Sequence, residues 1–322
     1  MSRPLRILTW HVHGNYLYSL THLPHRFIVP VLPGNPPGYS ALGPNIPWPD
    51  NVRMVPAKAV RDEAIDCVIY QSRGVFEHDR HTLLSSAQQG LPCVYIEHNP
   101  PEPHPTDTRH VFRHDRGVLV HVTHYNALMW DAAGMPVRVI EHGVPEVPGV
   151  YYSGELPCGI VVVNNLASRG RRVGADVYDW FRTRLPLELI GMGSQAVAGG
   201  RGEVANLDVP ARVARHRFFF SPIRYASLGL SLVEAMLAGV PVVGIAATEL
   251  NQVIRNGVNG YVDTRREVLV EVGRTLLEDA DLAHRWGGAA RETARARFGI
   301  ERFIADWNGL LSELSEASHV SG

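Results

Sequence analysis

Apolar residues fall along the first half of the chain in short runs, each ending in polar or charged side chains. Residues 6–12 read as a buried strand running into a turn at Gly14-Asn15-Tyr16, with Leu17, Leu20 and Leu23 following at helical spacing. Residues 27–32, 67–70, 93–96, 118–122 and 138–140 are further apolar strands, and 33–50, rich in Pro and Gly, is loop. The second half repeats the style, with strands expected at 159–163, 187–190, 218–220 and 240–243. A helix over 172–184 carries Val173, Val177, Trp180 and Phe181 on one side, and another over 232–238 is stopped by Gly239 as its C-terminal cap. Residues 151–157 look like a linker. Phe303, Trp307, Leu310, Leu311 and Leu314 form the apolar stripe of a last helix, which must dock somewhere. Short apolar strands separated by helical patterns predict βαβ units, parallel sheets and an α/β class.

Length and composition narrow this picture. At 322 residues, 45% hydrophobic and 20% charged, the chain is no disordered segment, and two domains are the natural expectation. Thirty-one basic against 32 acidic side chains leave a net charge of −1, which disfavours nucleic acid as a partner. The three scattered cysteines, Cys67, Cys93 and Cys158, argue against a secreted disulfide framework and fit a reducing cytosol. Trp10-His11-Val12-His13-Gly14-Asn15 interrupts any leader-like apolar core, and no window is long and apolar enough for a transmembrane segment. A cytoplasmic location is expected, with peripheral membrane contact left open.

The histidines are skewed: 13 of the 16 precede residue 150. Such clustering suggests a polar cleft in the N-terminal half, although His22, His25, His78, His81 and His114 read as unrelated loop histidines. In open parallel sheets ligands sit at the carboxyl ends of strands. Here those ends carry His11, His13, Gln71, Arg73, Glu97, His98 and Glu141. The period of two in a strand would turn His11 and His13 to one face. Zinc would need further ligands that no short partner pattern supplies, so no metal is expected and the pair is assigned to hydrogen bonding.

The stretch from Phe218-Phe219-Phe220-Ser221-Pro222 through Leu228-Gly229-Leu230-Ser231 to Glu234-Ala235-Met236-Leu237-Ala238-Gly239-Val240-Pro241-Val242-Val243 is distinctive. It resembles the donor-site signature of GT-B glycosyltransferases, particularly the retaining glycosyltransferase family 4. The likeness continues through Val253 to Val262, and Val139-Ile140-Glu141-His142-Gly143-Val144-Pro145 is similar to the end of that family's first domain. It is dense over residues 139–305 and thin before them. The resemblance implies two Rossmann-like domains facing across a cleft. An acceptor-side domain would span 1–150 and a nucleotide-sugar domain 151–302, with a helix over 303–322 docking back on the first.

Several roles are implied residue by residue. Glu234 matches the glutamate that holds the nucleotide ribose. Locally, Ser231-x-x-Glu234 also fits a helix capping box, which needs no ligand. Asn165 stands where the family has its diphosphate-binding Arg, and the partner Lys maps to Arg169 or Arg172, with Arg171 a weaker candidate. His98 resembles the strand-end His that faces the reacting sugar, and is the catalytic candidate. Gly14 lies where backbone approaches the donor. His11, His13, Asn15, Tyr16 and Arg73 are the acceptor-side candidates. Two departures make the sugar pocket unorthodox. The family's first carboxylate is Ala226 here, and its Gly-Gly becomes Thr248-Glu249, which leaves Thr248 and Glu249 as candidate donor contacts.

The implied activity is transfer of a sugar from a nucleotide-diphosphate donor to an acceptor hydroxyl, saccharide, lipid-linked or small-molecule. The resemblance implies retention, no metal and no cofactor. A non-catalytic nucleotide- or sugar-binding relative is the alternative. An epimerase or phosphorylase on the same fold is disfavoured, because the sole lysine, Lys58, lies far from the donor segment.

Overall fold

The computed structural model describes residues 3–320. The chain divides into two compact units. The first runs to Gly143 and resumes at Ile300; the second is Val144–Gly299. The divisions therefore fall a few residues before 150 and 302.

The first unit is built on seven strands: β1 Arg6–Thr9, β2 Arg26–Val31, β3 Val52–Pro56, β4 Cys67–Tyr70, β5 Cys93–Glu97, β6 Gly117–His121 and β7 Val137–Val139. Their order is β3-β2-β1-β4-β5-β6-β7, parallel throughout. The chain winds outward from β1 one way and from β4 the other, so the order reverses between these two central strands. Trp10, Tyr70, Phe76, Tyr95 and Phe112 fill one core of this unit. Phe303 and Trp307 of the last helix, Ile300–Val320, are fully buried in the same unit, where Phe303 meets Tyr16 edge to face at 5.7 Å.

The second unit has five parallel strands: β8 Leu156–Val162, β9 Leu187–Ile190, β10 His216–Ser221, β11 Val242–Ile245 and β12 Gly260–Asp263. Their order is β12-β11-β10-β8-β9, which reverses between β8 and β10. Period-two alternation sorts the phenylalanines of β10: Phe218 and Phe220 join Val161, Leu189 and Val243 in one core, while Phe219 joins Ile160 and Val242 in the other. Strands buried on both faces read as continuous apolar runs, which is why they were legible.

Three expectations change. Strand β1 stops at Thr9, because Val12 N–H turns back on the Trp10 carbonyl and His11 bridges to Gly38 and Tyr39 of the following loop. His11 and His13 are therefore not neighbours on one strand face. The linker expected at 151–157 already enters β8 at Leu156. The helix expected from 172 starts only at Ala175, since Gly174 sits at φ +82 with its Cα against the Pro222 carbonyl, 2.0 Å from where a Cβ would be.

Candidate functional site

In the second unit a cavity of about 420 Å³ opens at the carboxyl ends of β8 and β10, where the strand order reverses. That is where an open α/β sheet leaves a crevice between diverging crossovers. Its walls include Val163 after β8, Ser221 and Pro222 at the end of β10, Ser227 and Ser231, and Ala247 and Thr248 after β11. The amino end of the helix Leu230–Ala238 also lines it, through Gly229 and Ser231. Gly229 is the N-cap and no side chain caps it. Hydroxyls and the positive end of a helix make a setting suited to an anion.

Thr248 holds φ +51. A β-branched residue in the left-handed region is strained by about 1–3 kcal/mol. The position thus keeps a backbone suited to glycine while placing a threonine side chain at the cavity wall.

The loop after β8 carries the arginine candidates. Asn165, at φ +56, starts the short helical turn Leu166–Arg169 and donates its N–H to the Met192 carbonyl. Arg169 ends that turn. No carboxylate pairs with it among the described residues, and desolvation pulls its pKa below the ordinary arginine value. Arg171 is engaged by Asp176 at 2.6 Å, which also takes Arg224 in a bidentate pair. These two guanidinium groups hold the Asp176 carboxyl below its usual range. Arg172 donates Nε–H to the Tyr225 carbonyl at 2.9 Å, tying this loop to the one after β10. None of the three arginines lines the cavity itself.

Glu234 lies in the fifth position of its helix, and the helix has no capping box, because its N-cap is Gly229 rather than Ser231. Glu234 lines a separate cavity of about 270 Å³ with Val144, Pro145, Val147, Val150 and Pro210. Burial among these apolar groups pushes its pKa up to about 7. Glu249 is 1% exposed and pairs with Arg297 at 2.6 Å. It is turned toward that arginine and is not among the residues lining either cavity. Ala226 is buried between Tyr225 and Ser227.

The first unit gathers a different set. His98 follows β5, and its Nε2 lies 3.0 Å from Gln71 Oε1. Its ring is 4.2 Å from that of His13 and 4.7 Å from that of Tyr16, which in turn meets His142 at 5.8 Å. Desolvation, followed by the neighbouring His13 and His142, holds His98 well below the usual histidine range, so it is neutral at pH 7. Tyr16 is 1% exposed, a buried ring supporting the histidines rather than an open stacking surface. Asn15 is half-buried and follows Gly14 at the start of the helix Gly14–Leu20. A Cβ at Gly14 would come within 3.2 Å of His11 Nε2. His11 points elsewhere, with Nδ1 on the Ser40 carbonyl at 3.1 Å and its ring on Trp48. Arg73 is an exposed side chain paired with Glu77 at 2.6 Å, apart from the histidine group.

Gln71 is the contact that the candidate set lacks. It was visible only as a polar residue after an apolar strand. Cys158, Glu188 and His216 bring metal-type donor atoms within 4.8 Å of one another. Glu188, however, already accepts Arg212 at 2.7 Å and Arg201 at 3.2 Å, so this group is an ion-pair network.

Comparison with known proteins bears on this geometry. Residues 201–293 match the family model described as glycosyl transferases group 1. Over 90 residues the chain is 34% identical to N-acetyl-alpha-D-glucosaminyl L-malate synthase of Bacillus anthracis, a match covering 25% of this chain and 22% of that protein. The chain thus matches about a fifth of that relative's length. Among solved structures, sucrose-phosphate synthase from Thermosynechococcus elongatus superposes with a TM-score of 0.72 at 14% identity, over 98% of this chain and 100% of that one. HepE of Anabaena, in complex with UDP and glucose, superposes with a TM-score of 0.67 at 15% identity, over 97% and 100%. The fold is α/β of the GT-B type, with two parallel sheets. The matched segment contains β10, the helix Leu230–Ala238 and Thr248, and together with the fold it supports a transferase enzyme.

Proposed function

We propose that this chain is a glycosyltransferase that moves a sugar from a nucleotide-diphosphate donor to an acceptor hydroxyl, with retention and without metal or cofactor. The observation that carries the reading is the cavity at the β8/β10 reversal, lined by an uncapped helix amino end and mostly by residues of the segment that matches the glycosyl transferase model. The donor diphosphate is assigned there, with Arg169, which no carboxylate engages among the described residues, as its guanidinium, and Glu234, on the separate cavity, as the ribose contact. HepE is solved with UDP and glucose, which makes uridine donors the first to test. The acceptor belongs to the first unit, with His98 as the catalytic residue and His13 and Asn15 beside it.

In a front-face transfer, the bond from the anomeric carbon to the diphosphate oxygen breaks. The acceptor oxygen bonds to the same face of that carbon, and its proton passes to the departing phosphate oxygen. The protein's work is alignment and stabilisation of the negative charge. Arginines do this without a metal, since charge-assisted hydrogen bonds to phosphate are strong and bidentate. No helix among the described residues is long and apolar enough to cross a membrane. A cytoplasmic enzyme, with any membrane contact peripheral, is the reading that accompanies this.

A non-catalytic binding protein is the second reading, favoured by Ala226 and by the engagement of Glu249 with Arg297. Calorimetry with a panel of nucleoside diphosphates, then turnover of the corresponding sugars with varied acceptors, separates the two. Arg169→Ala is expected to weaken diphosphate binding by about 10–100-fold, the scale of a lost charged hydrogen bond. Unchanged affinity removes the diphosphate assignment, and tight donor binding without turnover favours the second reading.

A further inference from the structure

The carboxyl ends of β1, β4 and β5, adjacent in the first sheet, are joined by a single side chain. Gln71, 5% exposed just beyond β4, donates Nε2–H to Thr9 Oγ1 of β1 at 3.1 Å and faces the Trp10 carbonyl at 3.5 Å. Its Oε1 faces His98 Nε2, beyond β5, at 3.0 Å. The network fixes the orientation of the amide. Turned over, it would set its oxygen against the Trp10 carbonyl, acceptor against acceptor. An amide oxygen can only accept, so the imidazole nitrogen facing it carries the proton.

We infer that Gln71 is the positioning residue of His98, holding the imidazole in its Nε2–H form and leaving Nδ1 as the ring's acceptor. A buried amide suits this task better than a carboxylate. It orients the ring without drawing a second proton onto it, and the neutral state set by burial is preserved. Thr9 is completely buried, so the anchor end of the chain is rigid. The consequence for turnover rests on the transferase reading; the tautomer does not.

The test uses the full chain labelled with 15N-histidine. Long-range proton–nitrogen spectra separate bare from protonated ring nitrogens, and a His98→Ala spectrum assigns the signals. In the unaltered chain, His98 is expected as the Nε2–H form alone. Gln71→Leu is expected to move Nδ1 toward the protonated range as the two tautomers mix. Thr9→Val, which removes only the anchor, is expected to give a smaller shift in the same direction and guards against misfolding of the first variant. Gln71→Glu is expected to shift the His98 titration upward, because a carboxylate favours the imidazolium. His98 signals unmoved by all three substitutions overturn the inference. With donor and acceptor, Gln71→Leu is expected to lower kcat at least tenfold with donor KM within about twofold. An unchanged kcat reduces Gln71 to a structural contact and overturns the positioning role. Absence of turnover in the unaltered chain overturns the transferase reading instead, while the spectra still decide what Gln71 does.

Discussion

Glu234 is a carboxyl group held far from its ordinary chemistry by burial. With its pKa near 7 in the folded chain against 4.5 for the free side chain, the folded state binds the extra proton. Stability contributed by this group is therefore greatest below about pH 4.5 and falls as pH rises toward 7, the reverse of an ion-paired carboxylate. Glu234→Gln is expected to raise the unfolding free energy at pH 8 by an amount of order 1–3 kcal/mol and to leave it nearly unchanged at pH 4.5. Urea titrations at the two pH values check this. A nucleotide sugar has no titrating phosphate in this range, so its affinity isolates the carboxylate. If Glu234 accepts the ribose hydroxyls, affinity climbs as pH passes through about 7 in the unaltered chain and is flat in Glu234→Gln. This residue was legible in the sequence only through the family likeness, because the local pattern Ser231-x-x-Glu234 pointed to a cap. The backbone decides otherwise: Gly229 occupies the cap, and Glu234 lines a cavity whose other walls are apolar except for Glu146. Arg171 and Arg73 show the converse limit. Their sequence positions suited ligands, but Asp176 and Glu77, at short range in the chain, engage them.

At the scale of elements, the central strands announced themselves, as did the edge strands β7 and β9, while the edge strands β3 and β12 did not. β4, β5 and β10 bury nearly every residue and read as apolar runs. β3, at the sheet edge, buries Val55 while Arg53 and Met54 stay exposed, so no run exists to be read. β12 alternates buried and half-buried positions over four residues and was absorbed into a motif instead. The apolar stripe of the last helix was plain, because Phe303, Trp307, Leu310 and Leu311 recur at helical spacing and all are buried. Which residues receive that stripe was not. Gly143 gives the local answer: a Cβ there would sit 2.2 Å from the Phe303 Cβ, so the chain leaves the first sheet directly against this helix. Trp307, 0% exposed, is the largest side chain it contributes. Trp307→Ala is expected to cost the first unit about 3–5 kcal/mol, the range for emptying a large aromatic site. Denaturant unfolding followed by hydrogen exchange is expected to place the loss in β1–β7 and the last helix, leaving protection in β8–β12 unchanged.

The molecule as a whole is one chain in which the second unit is inserted into the first. Its two ends meet: Val144 N–H donates to the Phe298 carbonyl at 3.0 Å, and Val144 bridges to Gly299. A unit whose termini are bonded together, with its own pair of cores about its own sheet, has what an autonomous domain needs. The proposed diphosphate, ribose and sugar contacts, Arg169, Glu234 and Thr248, all lie within it. Residues 144–299 expressed alone are thus expected to unfold cooperatively and to bind a nucleoside diphosphate within about tenfold of the full chain, a difference of about 1.4 kcal/mol. They are expected to turn over no acceptor, since His98 and its neighbours are absent. Calorimetry on the fragment measures the first point and an assay of the released nucleoside diphosphate the second. A fragment that folds, as shown by its own cooperative transition, but binds no nucleotide would move the donor site out of the β8/β10 crevice. That would detach the function from the segment that carries the family likeness, because the helix whose amino end lines this crevice lies within 201–293. A fragment that binds tightly would locate donor recognition in this unit and leave acceptor choice to the histidine-rich sheet ends of the other.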